Sequence, residues 1–440
     1  MAPFAKTGGL ADVAGSLPQA LGRLGIDVLV LMPKYRGITD TEKSLGEHVR
    51  VRFVEHEGFF NRSGLYGNAD GDYPDNLDRF SFFSRECLRL ARELGFKPDV
   101  VHAHDWHAAI VPVLLKAKPD PFFQKTKSVL TIHNLAYQGH FDYAQWPKLG
   151  LPASLFSVDG FEFYGKINVL KAGLLYADRL NAVSPAYAKE IQAAEAGCAL
   201  EGVLQKRQKD LSGILNGIDT ALWDPWADKK LAAPFSAAAP AGKKVCKAAL
   251  QKQCGLAEDP ETPVFAIVSR LAEQKGLDIL AEVAPAMLSK KLQLVLLGDG
   301  DARYRQAFAA LEKRFPKAMK AHIGFDAAAA HAIYAGADFF LMPSLFEPCG
   351  LGQMISMRYG TLPVVRATGG LKDTVKDGVN GFVFERPSSA EFLAAVECAL
   401  KTYGDKTTLK KMTETAMNAD FSWEESAKKY EALYREAAGS

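Results

Sequence analysis

The chain has 440 residues, 48% of them hydrophobic and 24% charged, which suits two or three domains with sizeable cores. Its 53 Lys and Arg against 51 Asp and Glu leave a net charge of +2, arguing against a nucleic-acid binder driven by bulk phosphate attraction. No uncharged apolar run reaches the ~18 residues that span a bilayer, and neither a signal-peptide nor a transit-peptide pattern opens the chain. The six cysteines (Cys87, Cys198, Cys246, Cys254, Cys349 and Cys398) are scattered and show no Cys-x-x-Cys pair. A reducing cytoplasm is therefore expected, with neither a disulfide framework nor a zinc module.

Taken in chain order, short apolar runs alternate with amphipathic stretches. Strands are expected at Asp27–Met32, Asp99–Ala103, Lys127–His133, Arg179–Val183 and Leu211–Asn216. Helices are expected at Asp12–Leu24, Trp106–Lys116, Lys166–Tyr176 and Tyr187–Ala194. Strands that are apolar throughout and separated by helices imply a parallel sheet covered on both faces. The rhythm restarts after Pro263, with strands at Val264–Val268, Leu292–Leu297, His322–Phe325, Phe339–Met342 and Leu362–Val365. Its helices are Gly276–Leu288, Ala302–Phe315, Ala328–Ala335 and Gln353–Tyr359. The Ala- and Pro-rich stretch 221–244 has no period and is expected to be a linker. This divides the chain into a doubly wound domain 1–220, the linker, a second doubly wound domain 245–420 and a terminal helix over 421–440. Trp423, Ala427, Tyr430 and Tyr434 fall near one face of that helix, which is expected to cover apolar surface of the first domain. The run Thr7-Gly8-Gly9-Leu10-Ala11-Asp12 recurs as Thr368-Gly369-Gly370-Leu371-Lys372-Asp373 with five of six positions matching, which reads either as coincidence or as a Gly-rich loop entering a helix in each half.

Several loops carry residues suited to chemistry. Lys6-Thr7-Gly8-Gly9-Leu10 would let the backbone approach a phosphate or a sugar hydroxyl beside a positive charge. A structural turn is an equal reading of the two glycines, and P-loop spacing is absent. His102-Ala103-His104-Asp105-Trp106-His107 ends a strand, where functional groups of a parallel sheet face the ligand crevice. Asp105 and the face of Trp106 suit a sugar, with strand-end packing as the competing reading. A metal on His102 and His104 lacks a second ligand cluster of recognisable spacing. His133 and Asn134 end the next strand and are expected in the same crevice; a satisfied core histidine is the alternative for His133. Arg270 and Lys275 follow Val264–Val268 and are placed to neutralise a diphosphate without metal. Glu347 precedes Gly350 and Gly352 at a helix start that favours an anion. A carboxylate there suits sugar hydroxyls or a developing positive charge, with capping as the alternative. Leu297-Gly298-Asp299-Gly300 reads as a plain turn, and no Gly-x-Gly-x-x-Gly dehydrogenase fingerprint is present.

Together the segments APFAKTGGLADV, DVVHAHDWHAAIVP, LTIHNLAYQGHF, NAVSPAYAKEI, GILNGID, SRLAEQKGLD, FEPCGLGQ, ATGGLKDTV and DFSW resemble, in order and spacing over nearly the whole chain, the bacterial glycogen synthase and plant starch synthase family. The resemblance implies an α/β fold of the GT-B type, with two facing Rossmann-like doubly wound domains, an interdomain cleft that closes on substrate, and a C-terminal helix crossing back to the first domain. It implies transfer of glucose from ADP-glucose to the non-reducing end of an α-1,4-glucan such as glycogen, with retention, no cofactor and no metal. By resemblance, Lys6 and Gly9 line the donor site, Asp12 supports the cations across the cleft, and Tyr66 is a cleft tyrosine. Asp105, His133 and Asn216 would lie near the transferred glucose. Arg270 and Lys275 would hold the diphosphate and Glu347 the glucose. The backbone of Cys349, Gly350 and Leu351 would meet sugar and phosphate, and Phe325 stands where a tyrosine commonly stacks on adenine.

Departures from the family pattern carry expectations of their own. Family members usually begin with a short apolar strand before APFAKTGGL, so the first sheet is expected to lack an interior strand and to expose apolar faces. Gly352 stands where Thr is common, and Leu345 where Arg is common. The competing readings are a GT-B transferase using a UDP-sugar, and a non-catalytic glucan-binding relative.

Overall fold

The computed structural model describes residues 1–68 and 71–439. Two compact units divide the chain: Met1–Gly217 with Trp423–Ser440, and Ile218–Ser422.

In the first unit, helix Gly9–Arg23 places Val13, Leu17, Ala20 and Leu21 on one stripe, as a helical period requires. That stripe meets Trp423, Ala427, Tyr430 and Leu433 of the terminal helix Trp423–Ala438 in a shared core. The terminal helix is thus an integral part of this unit. Four parallel strands lie in the order Leu211–Gly213, Arg179–Ala182, Lys127–Ile132, Val100–His104. A separate sheet holds Val28–Pro33, Val49–Val54 and Glu42–Ser44. Among the described residues, Val28–Pro33 and Val100–His104 each pair with a strand on one side only. Val28, Leu29, Val30 and Leu31 are only partly buried.

Two local expectations need correction. Lys166–Tyr176 is not all helix: Lys166–Asn168 pairs antiparallel with His140–Asp142 and Glu162–Phe163. The helix begins at Val169 because the Asn168 side chain caps it by accepting from the Lys171 N–H. The expected helix Trp106–Lys116 is two, Asp105–Ala108 and Ile110–Ala117.

The second unit holds one six-stranded parallel sheet, ordered Met319–Ile323, Gln293–Gly298, Val264–Val268, Phe339–Met342, Leu362–Arg366, Phe382–Phe384. Successive strands run outward from Val264–Val268 and then restart on its other side. The loops after Val264–Val268 and Phe339–Met342 therefore lie at the switch point, where a parallel sheet opens its crevice. The strand expected at His322–Phe325 runs instead over Met319–Ile323, where Met319 comes into register with Leu294.

The expected linker is also corrected. Phe235 is fully buried. Asp228 accepts from the Tyr359 hydroxyl at 2.7 Å and pairs with His331 Nδ1 at 2.5 Å. Lys243 Nζ donates to the carbonyls of Ala335 and Tyr359 and to Thr361 Oγ1. These anchors fasten 221–244 to the second unit, and helix Ala241–Gln253 already begins within it.

Candidate active site

The Gly-rich echo is physical. Gly8 leads without a side-chain cap into Gly9–Arg23, and Thr368 leads into Gly369–Thr374.

In the second unit, the two switch-point loops are stitched together. Lys275 Nζ donates to Glu347 Oε2 at 2.6 Å, and Ser344 Oγ donates to the same oxygen at 3.1 Å. Gln274 lies between the two expected cations. It accepts from Arg270 Nη2 at 3.0 Å and donates through Nε2 to the Phe346 carbonyl at 3.2 Å. Its own carbonyl takes the Leu345 N–H at 2.8 Å. Arg366 braces the same loop, donating to the carbonyls of Ser344 and Leu345. Glu347 is therefore the counter-ion of Lys275, a role its position in sequence did not disclose.

Glycines set the close approaches. A Cβ on Gly369 would lie 2.0 Å from the Glu347 carbonyl oxygen, and one on Gly370 2.0 Å from that of Cys349. This brings the Thr368–Leu371 turn against Cys349-Gly350-Leu351, ahead of helix Gly352–Arg358. The Leu297–Gly300 turn does more than reverse the chain: Leu271 donates to the Asp299 carbonyl and accepts from the Asp301 N–H, bracing the Arg270 loop. Phe325 stands 91% exposed in its loop, an open aromatic face.

The Gly352 departure has a packing reason. A Cβ there would meet the Phe340 ring at 2.9 Å, with the Tyr334 hydroxyl at 3.5 Å. Gly352→Thr is expected to lower the melting temperature, and adding Phe340→Leu to recover most of the loss. Equal melting temperatures of Gly352→Thr and the parent would refute this.

In the first unit, Lys6 Nζ pairs with Asp12 Oδ1 at 2.6 Å. Asp12 is thus engaged with the cation of its own loop. Added Cβ atoms at Gly8 and Gly9 would meet open space, so the backbone entering this helix is accessible. Asp105 holds the neighbouring strand end. Its backbone is left-handed, at φ 53, and Oδ1 accepts the His133 N–H at 2.7 Å. The Asn134 N–H is a second donor to this carboxyl, yet burial pushes its pKa up to about 7. Tyr66 lies beside this group: its ring centroid is 4.4 Å from that of His107, and burial, then the charge of Asp105, raises its hydroxyl to about 12. Asn216 is buried, with its Oδ1 lacking any hydrogen-bond partner. Trp106, expected as a sugar platform, is instead core: it is buried under Gly139 and packs edge-on against Phe80. His102 is satisfied at both ring nitrogens, by the Tyr434 hydroxyl and Thr131 Oγ1.

Asp105→Ala is expected to lose more stability than Asp105→Asn. Alanine strands two amide donors, at ~1–3 kcal/mol each when buried, and suffers left-handed strain that Asn tolerates. The pH dependence has a definite sign. The native carboxyl releases its proton near pH 7 and the unfolded one near 3.8, so its contribution is full below the lower value and lost as pH rises through the upper one. The stability of Asp105→Asn relative to the parent should therefore rise across that window in thermal melts. A constant difference would refute the buried carboxyl.

The description "Starch synthase catalytic domain" matches residues 1–206, and "Glycosyl transferases group 1" matches 251–418. Glycogen synthase 2 of Geobacter sulfurreducens is 45% identical over 471 residues, covering 100% of this chain and 97% of the relative. A glycogen synthase of Anaeromyxobacter dehalogenans is 47% identical over 463 residues, covering 99% and 97%. The chain belongs to the glycogen and starch synthase family. The catalytic domain of Arabidopsis thaliana starch synthase IV, a structure bound to ADP and acarbose, superposes with TM-score 0.92 at 34% identity, covering 100% of this chain and 98% of that one. It confirms the expected two-domain GT-B glycosyltransferase architecture. Sucrose-phosphate synthase of Thermosynechococcus elongatus, at 20% identity and TM-score 0.66, shares the fold. No helix among the described residues is long and apolar enough to cross a membrane.

Arg270, Lys275, Glu347, Asp105 and His133 were legible in sequence as charged or polar groups at strand ends. Sequence reading missed Gln274, Ser344 and Arg366, which hold the loops together. The one available signal was Gln274's place between the two cations.

Proposed function

We propose that this glycogen/starch synthase takes glucose from ADP-glucose and adds it, with retention, to the non-reducing 4-hydroxyl of an α-1,4-glucan, without a metal or cofactor. The observation that carries the reading is the switch-point arrangement: Arg270 and Lys275 on one loop, tied through Gln274 and Glu347 to the other. The ADP-bound relative supports the choice of nucleotide.

Breaking the bond between glucose C1 and the phosphate oxygen leaves an oxocarbenium-like sugar and an anionic diphosphate. Arg270 and Lys275 stabilise that anion electrostatically, with the backbone of Cys349, Gly350 and Leu351 beside it. The acceptor hydroxyl attacks C1 on the face the phosphate leaves. Its proton passes to the departing phosphate oxygen as the new C1–O4 bond forms. Glu347, fixed by Lys275 and Ser344, presents its carboxylate to the sugar. In the first unit, Asp105, His133 and Asn216 serve the transferred glucose, Lys6 and Gly9 line the donor site, Asp12 supports the cations and Tyr66 flanks Asp105; in the second unit, Phe325 offers its face to the adenine.

Nucleotide release tests the reading, with ADP-glucose and UDP-glucose each supplied with and without glycogen. Glycogen-dependent ADP release well above UDP release is expected. Preferred UDP release would overturn the donor, and glycogen binding with no release from either donor would overturn transfer itself.

A further inference from the structure

His133 is held twice, by two consecutive residues. The Asp105 carboxyl fixes its backbone N–H. Its ring is held by His104, whose Nδ1 lies 3.0 Å from His133 Nε2. Beneath His104 lies the His102 ring, with centroids 4.1 Å apart and planes tilted by 35°. His102 cannot rotate without breaking two bonds, to the Tyr434 hydroxyl at 2.7 Å and to Thr131 Oγ1 at 2.6 Å. Tyr434 belongs to the terminal helix Trp423–Ala438, more than three hundred residues away in sequence and within the same unit.

We propose that His104 is the positioning residue for His133, setting the orientation of its imidazole and coupling its tautomer to that of His104, and that Tyr434 of the terminal helix fixes His104 through the adjacent ring of His102. The inference rests on the reading that His133 meets the transferred glucose.

Proton counting explains why the contact couples the two tautomers. Burial holds both rings neutral: it brings the His104 pKa down to about 4 and holds that of His133 well below the ordinary histidine range. A neutral imidazole carries one N–H and one bare nitrogen. At the contact, one ring donates and the other accepts. Whichever way the proton lies, the two rings are coupled there: His133 Nε2 takes the state opposite to that of His104 Nδ1, and its own Nδ1 takes the complementary one. Losing the contact lets the ring turn and lets both tautomers populate. An imidazole acting on the reacting sugar would then be misplaced by a fraction of its own size, a change that costs rate more than binding.

The test uses the full chain carrying His104→Asn, His104→Leu or Tyr434→Phe. Asn places an amide where His104 Nδ1 stands; Leu fills the volume with no polar atom. His104→Leu is expected to lower kcat by about 100-fold with little change in the KM for the donor. His104→Asn should recover most of that, and Tyr434→Phe should lower kcat several-fold. If His104 only packs, Leu would match or exceed Asn, and that ranking would overturn the proposal. A second readout needs no activity: ¹⁵N spectra of labelled histidines, with the His133 signal assigned from its absence in His133→Gln. The parent should show one neutral tautomer for His133, and His104→Leu a mixture. An unchanged His133 signal in His104→Leu overturns the proposal. If the parent transfers no glucose but the spectra change as expected, the functional reading fails while the positioning of His133 stands.

Discussion

Lys275→Met is expected to lower kcat for glucose transfer by ~10²–10³-fold, the usual loss when one preorganised group facing a developing anion is removed. The substitution has a second effect, because Lys275 is also the partner of Glu347 at 2.6 Å with both side chains largely buried. Breaking one side of a buried pair strands the other charge, at a cost of ~3–5 kcal/mol in typical cases. Glu347→Gln has the mirror defect, leaving the ammonium without its carboxylate. The double variant Lys275→Met with Glu347→Gln separates the two effects. It removes both charges together, so much of the lost stability should return in thermal melts. If the two side chains serve the diphosphate and the sugar, activity should stay low while stability recovers. If the pair only joins the two loops, activity should recover with the melting temperature, and the assignments of Lys275 to the diphosphate and of Glu347 to the sugar would both be wrong.

What could be read from sequence followed from how far each signal reaches along the chain. Val264–Val268 and Phe339–Met342 are apolar throughout, so their strands and the loops at their ends were legible. The stripe Trp423, Ala427, Tyr430 announced a helix with something to cover, and its partner is Gly9–Arg23. Arg270, Lys275 and Glu347 were legible as charges at strand ends. That Lys275 and Glu347 pair with each other was not, because the contact spans 72 positions and no local pattern encodes it. Trp106 misled for a related reason: an aromatic at a strand end suits a sugar or a core equally, and only the approach of Gly139 decides for the core. The stretch 221–244 looked like a linker because Ala and Pro dominate it. Its anchors, Asp228, Phe235 and Lys243, are single residues without periodicity, and the partners of Asp228 and Lys243 lie about a hundred positions away. The Met319–Ile323 strand was displaced by a few residues because its register is set by Gln293–Gly298, a partner that periodicity cannot supply.

Gly276→Ala should be among the most damaging single-methyl changes in the second unit, and Gly255→Ala provides its control. Both glycines are left-handed, at φ 64 and φ 67, so each alanine incurs the same backbone strain, ~1–2 kcal/mol. Their surroundings differ. An added Cβ at Gly255 meets nothing within 4 Å, whereas at Gly276 it would fall 1.8 Å from the Pro343 carbonyl oxygen. That distance cannot be borne, so either the loop after Phe339–Met342 or the turn carrying Lys275 must move. Such a shift would pull Lys275 away from Glu347 and Gln274 away from Phe346, undoing the contacts that set both cations. Gly255→Ala should therefore lower the melting temperature by a few degrees and keep kcat. Gly276→Ala should lower the melting temperature several times further and lose most of kcat even where the protein remains folded. Equal losses from the two variants would mean that strain alone matters and that the loops have room to part. A larger loss confined to stability would mean that the close approach holds the fold without placing the cations.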